Sequence, residues 1–252
     1  MKSLFTNCLI LYAGFTLPAI PVSAQSPPPQ SPSAQAPLGQ SIPGDSSIRI
    51  AEDHAIALYH NYLGEESPIY NGIGHITDDA STRGFAYFQA ATTFPGTVVY
   101  DGSLYTNLPI LYDLVRDQVI VADRNGYLVG LFMPRVREFS LFGHHFINTS
   151  RGVYDQLVTG SVTIMIRRIK KIEETIVSME VIHPITAKDY IYAVKDGVYY
   201  EVHNQGSLLA LMNDRKKEVK AFIKENRIRF RKDPEGATSK IATYYNQLSG
   251  SH

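Results

Sequence analysis

The sequence predicts a mainly β fold of the α+β class, with a single antiparallel sheet that is curved or closed into a half-barrel. Between residues 84 and 202, apolar and aromatic runs alternate with turn residues, which is typical of consecutive strands. Asp101-Gly102, Asn125-Gly126 and Asp196-Gly197 are residue pairs that tolerate the positive φ of two-residue hairpin turns. After residue 207 the apolar spacing becomes helical, so helices are expected to follow the sheet.

The predicted strands follow one another closely along the chain. They are Gly84–Ala90, Gly96–Tyr100, Ser103–Thr106, Leu108–Val115, Gln118–Ala122, Leu128–Pro134, Val136–Leu141, His144–Asn148, Gly152–Val158, Val162–Ile172, Tyr190–Val194 and Val198–Val202. Val119-Ile120-Val121 is apolar at consecutive positions, which indicates that part of the sheet is covered on both faces.

One helix is predicted before the sheet and two or three helices after it. Residues 48–63 carry Ala55 and Leu58 at helical spacing, and Gly64 is a natural stop. The C-terminal helical segment, residues 207–248, contains three candidates. These are Ser207–Met212, Arg215–Asn226 and a helix that Asp233 caps with Pro234 at its first position.

The first 24 residues have the three parts of a secretory signal peptide. Lys2 supplies a positive charge, and residues 4–17 form an apolar stretch. Small residues then precede a cleavage site between Ala24 and Gln25. The apolar stretch is shorter than the roughly 20 residues that span a membrane. We therefore expect export to the periplasm or the cell exterior, with no transmembrane segment in the mature chain.

The signal peptide leads into a linker and then one domain. Residues 25–46 are rich in Pro, Ser and Gln, and they contain no aromatic residue and a single charge. Such a composition buries too little apolar surface to offset the entropy of ordering, so the segment is predicted to be a disordered linker. Residues 47–250 are then expected to form a single β-rich domain.

Cysteine usage and net charge exclude several classes of function. The only cysteine, Cys8, lies inside the predicted signal peptide and too early for a lipoprotein cleavage point. A mature chain without cysteine has no disulfide, no thiol nucleophile and no Cys-ligated zinc. The formal net charge of the chain is zero, so no global field attracts it to nucleic acid.

Several segments resemble a family of exported proteins of Gram-negative bacteria for which no activity is known. The similar segments are Asp101–Val115, Tyr154–Leu157, Arg167–Ile172, Lys195–Tyr200, Phe230–Glu235 and Tyr244-Tyr245. The similarity covers most of residues 50–248. It implies export and a shared fold, and it brings no catalytic residues with it.

Motifs that carry chemistry are sparse. The sequence has no Gly-x-Ser-x-Gly elbow, no Ser-x-x-Lys pair and no phosphate-binding loop, so no cofactor or metal is predicted. His144 and His145 are adjacent and are expected to point to opposite faces of a strand. A hydrolase that uses carboxylate or histidine acid–base residues would need some of six residues to converge in a cleft. These are His75, Asp78, Asp113, Glu138, His144 and His145.

Basic residues give the most suggestive pattern. Residues 215–232 contain nine Lys or Arg against two Glu, a net charge of +7 in a chain of zero net charge. This asymmetry predicts a surface that contacts lipid headgroups, lipopolysaccharide phosphate or an acidic protein partner, unless it is simply a solvated face. The candidate contacts are Arg167, Arg168, Lys170, Lys171, Lys216, Lys217, Arg229 and Arg231.

The function expected from these patterns is that of a non-enzymatic exported protein. It would bind a hydrophobic ligand, an envelope component or a partner protein, and a secreted hydrolase is the alternative. A hydrolase predicts that two or more of the six residues named above converge within a few ångströms in a cleft. A ligand-binding protein predicts an apolar cavity, and an interaction protein predicts an exposed basic ridge on the C-terminal helices.

Overall fold

The computed structural model describes residues 67–77 and 82–250, together with isolated positions between residues 50 and 64. The predicted signal peptide, its cleavage residues Ala24 and Gln25, and the linker 25–46 lie outside the described residues. The predicted helix 48–63 is described only at isolated positions. Strands account for 44% of the described residues, so the fold is mainly β, as predicted.

In the described structure the strands come first and the α-helices last, so the helices predicted after the sheet are confirmed. The helix predicted before the sheet is not matched, since the α-helices with described bounds are all C-terminal. The strands are β1 (Ile73–Gly74), β2 (Thr82–Arg83), β3 (Phe94–Tyr100), β4 (Ser103–Asp113), β5 (Gln118–Ala122), β6 (Leu128–Gly130), β7 (Val136–Leu141), β8 (His144–Thr149), β9 (Gly152–Val158), β10 (Thr163–Ile172), β11 (Thr175–Val177), β12 (Glu180–Lys195) and β13 (Val198–Glu201). The helices are α1 (Gln205–Leu211), α2 (Lys216–Glu225) and α3 (Pro234–Ser249). Together they span residues 205–249, close to the predicted C-terminal helical segment 207–248.

The strands form one open sheet. Its order is β1-β6-β5-β4-β3-β7-β8-β9-β10-β12-β11, and β13 and β2 also pair with β12. Every strand pair is antiparallel except β2 with β12, which is parallel at Thr82 and His183. The prediction of a purely antiparallel sheet is therefore wrong at this pair. Here the chain reaches β12 from a distant part of the sequence instead of through a hairpin turn.

Two of the three predicted hairpin turns are confirmed. Asp101-Gly102 connects β3 to β4 and Asp196-Gly197 connects β12 to β13, and all four residues have positive φ. Asn125-Gly126 instead lies in a longer loop between β5 and β6. The Asp123 carboxylate organises that loop by accepting hydrogen bonds from the backbone N–H groups of Asn125 and Tyr127, at 2.9 and 2.7 Å.

Apolar side chains form two main clusters. One is built by β3–β9 and centres on residues such as Ile110, Phe139 and Phe146. The other lies between the three helices and the β10–β12 part of the sheet, with Ile164 and Ile241 among its buried members. Ile120 belongs to a third, smaller cluster with Tyr87 and Leu111, whereas Val119 and Val121 join the first. The predicted covering of both faces at this strand is therefore confirmed.

Polar bonds attach α3 to the sheet. The Asn246 side chain accepts from the backbone N–H of Val162 and donates to the Val162 carbonyl, both at 2.8 Å. The Tyr245 hydroxyl donates to Asp214 at 3.1 Å and accepts from Lys195 Nζ at 3.2 Å. These bonds hold the C-terminal helices at a defined position on the strands. Within the described residues, no helix is long and apolar enough to cross a membrane.

Candidate functional site: a basic cleft between α2 and α3

The basic residues predicted on β10 are held by partners of their own. Arg167 forms a bidentate ion pair with Asp117, at 2.9 and 2.7 Å, and also donates to the Val153 carbonyl. Lys170 Nζ donates to the carbonyls of Phe85 and Tyr87 at 2.9 and 2.7 Å. Burial lowers the pKa of this lysine, because it disfavours the charged amine.

Arg168 on β10 is the centre of a polar network that joins β9, β12 and the start of α3. Its Nε and Nη2 donate to Asp155 Oδ2 at 2.9 and 2.6 Å, and Nη2 also donates to Glu235 at the start of α3. Nη1 donates to Asp189 at 2.7 Å. Burial alone would lower the pKa of the Arg168 guanidinium, but the bonds to Glu235 and Asp155 outweigh it and raise that pKa. Of the four β10 candidates, only Lys171 is an exposed residue without such bonds in the described part of the chain.

The histidines divide as the sequence predicts. His144 Nδ1 donates to the buried Asp155 Oδ2 at 2.7 Å, and its Nε2 faces Gln89 Nε2 at 3.2 Å. His145 lies on the other face of β8, where its Nε2 is 3.4 Å from Glu138 Oε2. A hydrogen bond from Arg137 is the main cause of the lowered pKa of Glu138.

The other three candidates for hydrolytic chemistry, His75, Asp113 and Asp78, are not part of the His144–Asp155 or His145–Glu138 pair in the described structure. His75 Nε2 contacts the Tyr87 hydroxyl at 3.0 Å. Asp113 is buried and accepts from the backbone N–H groups of Val115 and Arg116, at 2.8 and 2.9 Å, which is a turn-forming role. Asp78 lies outside the described residues. Among the residues that are described, no group of three or more His, Cys, Asp or Glu could hold a metal ion.

A basic cleft lies where α2 ends and α3 begins. Its volume is about 540 Å³. The residues that line it are Phe222, Asn226, Arg227, Ile228, Arg229, Lys232, Asp233, Ala237 and Lys240. We call this the α2–α3 cleft. Four of its side chains are cationic and one is acidic.

Local backbone structure places the first of these cations. Helix α2 ends in a Schellman motif: the N–H of Arg227 bonds to the Lys224 carbonyl at 3.2 Å, and the N–H of Ile228 bonds to the Ile223 carbonyl at 3.0 Å. This motif requires a left-handed residue at position 227, and Arg227 has φ of 51°. Glycine adopts that conformation without steric cost, so an arginine here carries backbone strain at the edge of the cleft.

The single carboxylate of the cleft is already bonded. Asp233 caps α3, and its Oδ1 accepts from the backbone N–H of Gly236 at 2.8 Å. The ion pairs found among the described residues include none to Arg227, Arg229, Lys232 or Lys240. Four cations therefore share one cleft with a single carboxylate, so the residues that line the cleft carry a net positive charge.

Of the basic residues predicted as contacts, Arg229 lines the α2–α3 cleft and the others do not. Arg231 lines a neighbouring cleft of about 490 Å³ that shares Ile228 and Arg229 with the first. Lys216 and Lys217 lie at the opposite end of α2, beside Asp214 and Glu218. Arg227, Lys232 and Lys240 were not among the sequence candidates. The density of positive charge pointed to the first two, but nothing in the spacing of Lys240 indicated that it meets them.

Comparison with known proteins adds no relative to this description. No protein-family model matches the chain, and no curated protein or solved structure matches it significantly. What the cleft can do therefore follows from its own chemistry. Guanidinium and ammonium groups donate charge-assisted hydrogen bonds to phosphate or carboxylate oxygens, and the cleft presents two of each around one concave surface.

Proposed function

We propose that this chain is a non-enzymatic exported protein that binds an anionic group of an envelope component in the α2–α3 cleft. The observation that carries the proposal is the set of four cations that line one cleft without an ion pair to any described residue, beside a single carboxylate that caps α3. Export is supported by the signal-peptide pattern of residues 1–24 and by the resemblance to exported proteins of Gram-negative bacteria.

Electrostatics favours a ligand over a solvated surface at this place. Like charges that line one cleft repel one another, and low-dielectric walls strengthen that field compared with a flat surface. An anion that enters the cleft relieves the repulsion and accepts several charge-assisted hydrogen bonds at once. The chain as a whole has zero net charge, so the rest of it is net negative and this local positive field stands out.

Neutralising two cleft cations should abolish most of this binding. We expect the double variant Arg229→Gln/Lys232→Gln to bind methyl phosphate at least about tenfold more weakly, since a hydrogen bond to a charged group contributes about 1.5–3 kcal/mol. The affinity of the parent protein should also fall as ionic strength rises. Chemical shifts in an NMR titration of ¹⁵N-labelled protein give both quantities.

A matched control removes the same charge at the start of α2, away from the cleft. The double variant Lys216→Gln/Lys217→Gln has the same net charge as the cleft variant, but its sites lie outside the α2–α3 cleft. It should change the affinity for methyl phosphate by less than about twofold. Equal weakening by both double variants would mean that the charge acts diffusely, and no weakening by either would remove the cleft from the function.

Arg227 allows stability and binding to be separated. We expect Arg227→Gly to keep or raise the free energy of unfolding, by up to about 1 kcal/mol, because a left-handed non-glycine residue costs about 1–2 kcal/mol and glycine returns part of this as chain entropy. The same change should weaken methyl phosphate binding by at least about threefold, because it removes one cation. Urea unfolding and the NMR titration measure the two effects.

Arg227→Ala is the matched control for that experiment. Alanine removes the same charge but leaves a Cβ at a φ of 51°, so its binding loss should equal that of glycine without any gain in stability. If Arg227→Gly instead destabilises the protein by more than about 1 kcal/mol, the side chain contributes to folding and its assignment to the ligand site is wrong.

A further inference from the structure

We propose that the anion bound in the α2–α3 cleft is the phosphate of a lipid, and that the first part of the lipid chain lies along the apolar wall of the same cleft. This inference rests on the proposed function and narrows its ligand to one chemical class, an amphiphile with a phosphate head group. The charge of the cleft defines the head group, and the side chains beside the cations define the tail.

The apolar wall of the cleft is built from side chains of α2, α3 and the segment between them. Phe222 on α2 and Tyr244 on α3 stack with ring centroids 4.0 Å apart and planes inclined by 3°. Ile228 and Ala237 line the cleft beside Phe222, and both also belong to or pack against the apolar cluster under the helices. A wall that the protein core already holds in place loses little entropy when it receives a ligand.

The chain sequence places cations directly beside this wall. Ile228 lies between Arg227 and Arg229, and Lys240 follows Ala237 by less than one turn of α3. If the phosphate of a ligand binds Arg227 and Arg229, the apolar side chain of Ile228 therefore lies beside its head group. A simple inorganic anion would leave this apolar surface exposed to water, which is unfavourable in proportion to its area.

The volume of the cleft is larger than a phosphate group alone requires. Its volume of about 540 Å³ falls in the range of about 300–1,000 Å³ that is usual for small-molecule sites. Water occupies about 30 Å³ per molecule in the liquid, so a phosphate with its four oxygens fills only part of this space. The remaining volume has room for several methylene groups, and Phe222 and Ile228 are among the apolar residues that line the cleft.

A series of alkyl phosphates tests this inference. Methyl, butyl, hexyl and octyl phosphate share one head group and are used below their micelle concentrations, with isothermal titration calorimetry as the readout. We expect affinity to rise with chain length by up to about fourfold for each buried CH₂, and to level off once the wall is covered. Inorganic phosphate should bind no better than methyl phosphate.

Two variants separate the contribution of the phosphate head group to the affinity from that of the alkyl chain. Phe222→Ala should flatten the dependence on chain length while leaving the affinity for methyl phosphate within about twofold. Arg229→Gln/Lys232→Gln should weaken every member of the series by the same factor. Thermal unfolding checks that each variant is folded. If Phe222→Ala unfolds, it is replaced by Ile228→Thr, which keeps a β-branched side chain but substitutes a hydroxyl for the ethyl group.

The outcomes separate this inference from the proposed function. Equal affinity for all alkyl phosphates, lost in the cation variant, would overturn the lipid inference and keep anion binding. If neither Phe222→Ala nor Ile228→Thr changes the dependence on alkyl chain length, the alkyl chain does not lie along the apolar wall. That result would also overturn the lipid inference. Absence of binding by every phosphate would overturn both proposals.

Discussion

Replacing Arg168 with methionine is expected to lower the free energy of unfolding by about 3–5 kcal/mol, the usual cost of leaving one partner of a buried ion pair uncompensated. Asp155 is fully buried, and its Oδ2 accepts all three of its bonds, two from Arg168 and one from His144. Its other oxygen has no hydrogen-bond partner in the described structure. The carboxylate therefore depends on the arginine for most of its compensation.

The other two partners of Arg168 should contribute little to this loss. The side chains of Asp189 and Glu235 are 48% and 40% exposed, so water screens their attraction to the guanidinium. Urea unfolding of Arg168→Met, beside Lys171→Met on the same strand, isolates the effect. The lysine variant should change stability by less than about 0.5 kcal/mol. A loss below about 1 kcal/mol for Arg168→Met would show that the network is not needed for the fold.

Replacing Phe146 with alanine should cost a similar amount for a different reason. Phe146 is only 1% exposed, and its ring centroid lies 4.7 Å from that of Phe139, 5.1 Å from Phe88 and 5.2 Å from Tyr112. Truncation removes these contacts and leaves a cavity in a close-packed cluster, at a cost of about 3–5 kcal/mol. Thermal and urea unfolding both measure it.

Phe146→Ala also tests whether the α2–α3 cleft is independent of the first apolar cluster. The cleft is lined by residues of the helical layer, which packs on the second cluster. At a temperature where the variant remains folded, its affinity for methyl phosphate should equal that of the parent protein. Phe132→Ala, at an exposed position, is the control for loss of an aromatic ring. A parallel loss of stability and affinity in Phe146→Ala would mean that the two clusters are coupled.

Local signals predicted the local features of this fold. Asp101-Gly102 and Asp196-Gly197 form the turns expected of them, and Asp233 with Pro234 begins α3 as predicted. Each of these depends on the backbone preferences of two adjacent residues, which a sequence displays directly. Ser178-Met179 makes a comparable turn with positive φ at both residues, but it contains no Gly or Asn and so gave no signal.

Features that depend on distant parts of the chain were missed. Arg168 was expected at a surface, yet its partner Glu235 is 67 residues away, and no charge pattern displays such a pairing. A strand was predicted at Gly84–Ala90, but this segment forms no strand. It makes only one isolated β-bridge, between Tyr87 and Asp113. Strand β12 begins at Glu180, ten residues before the predicted start, because its first half alternates less clearly between apolar and polar residues.

The strand order also determines how far the chain must search when it folds. Most neighbours in the sheet are consecutive in sequence, as in β3-β4-β5-β6 and β7-β8-β9-β10, so each closes over a short loop at small entropic cost. Distant segments are joined by the pairing of β1 with β6, of β2 with β12 and of β3 with β7, and by the seating of α3 on β9 and β10. Hairpin connections of this kind lower the contact order of a sheet and favour faster folding than long crossovers would.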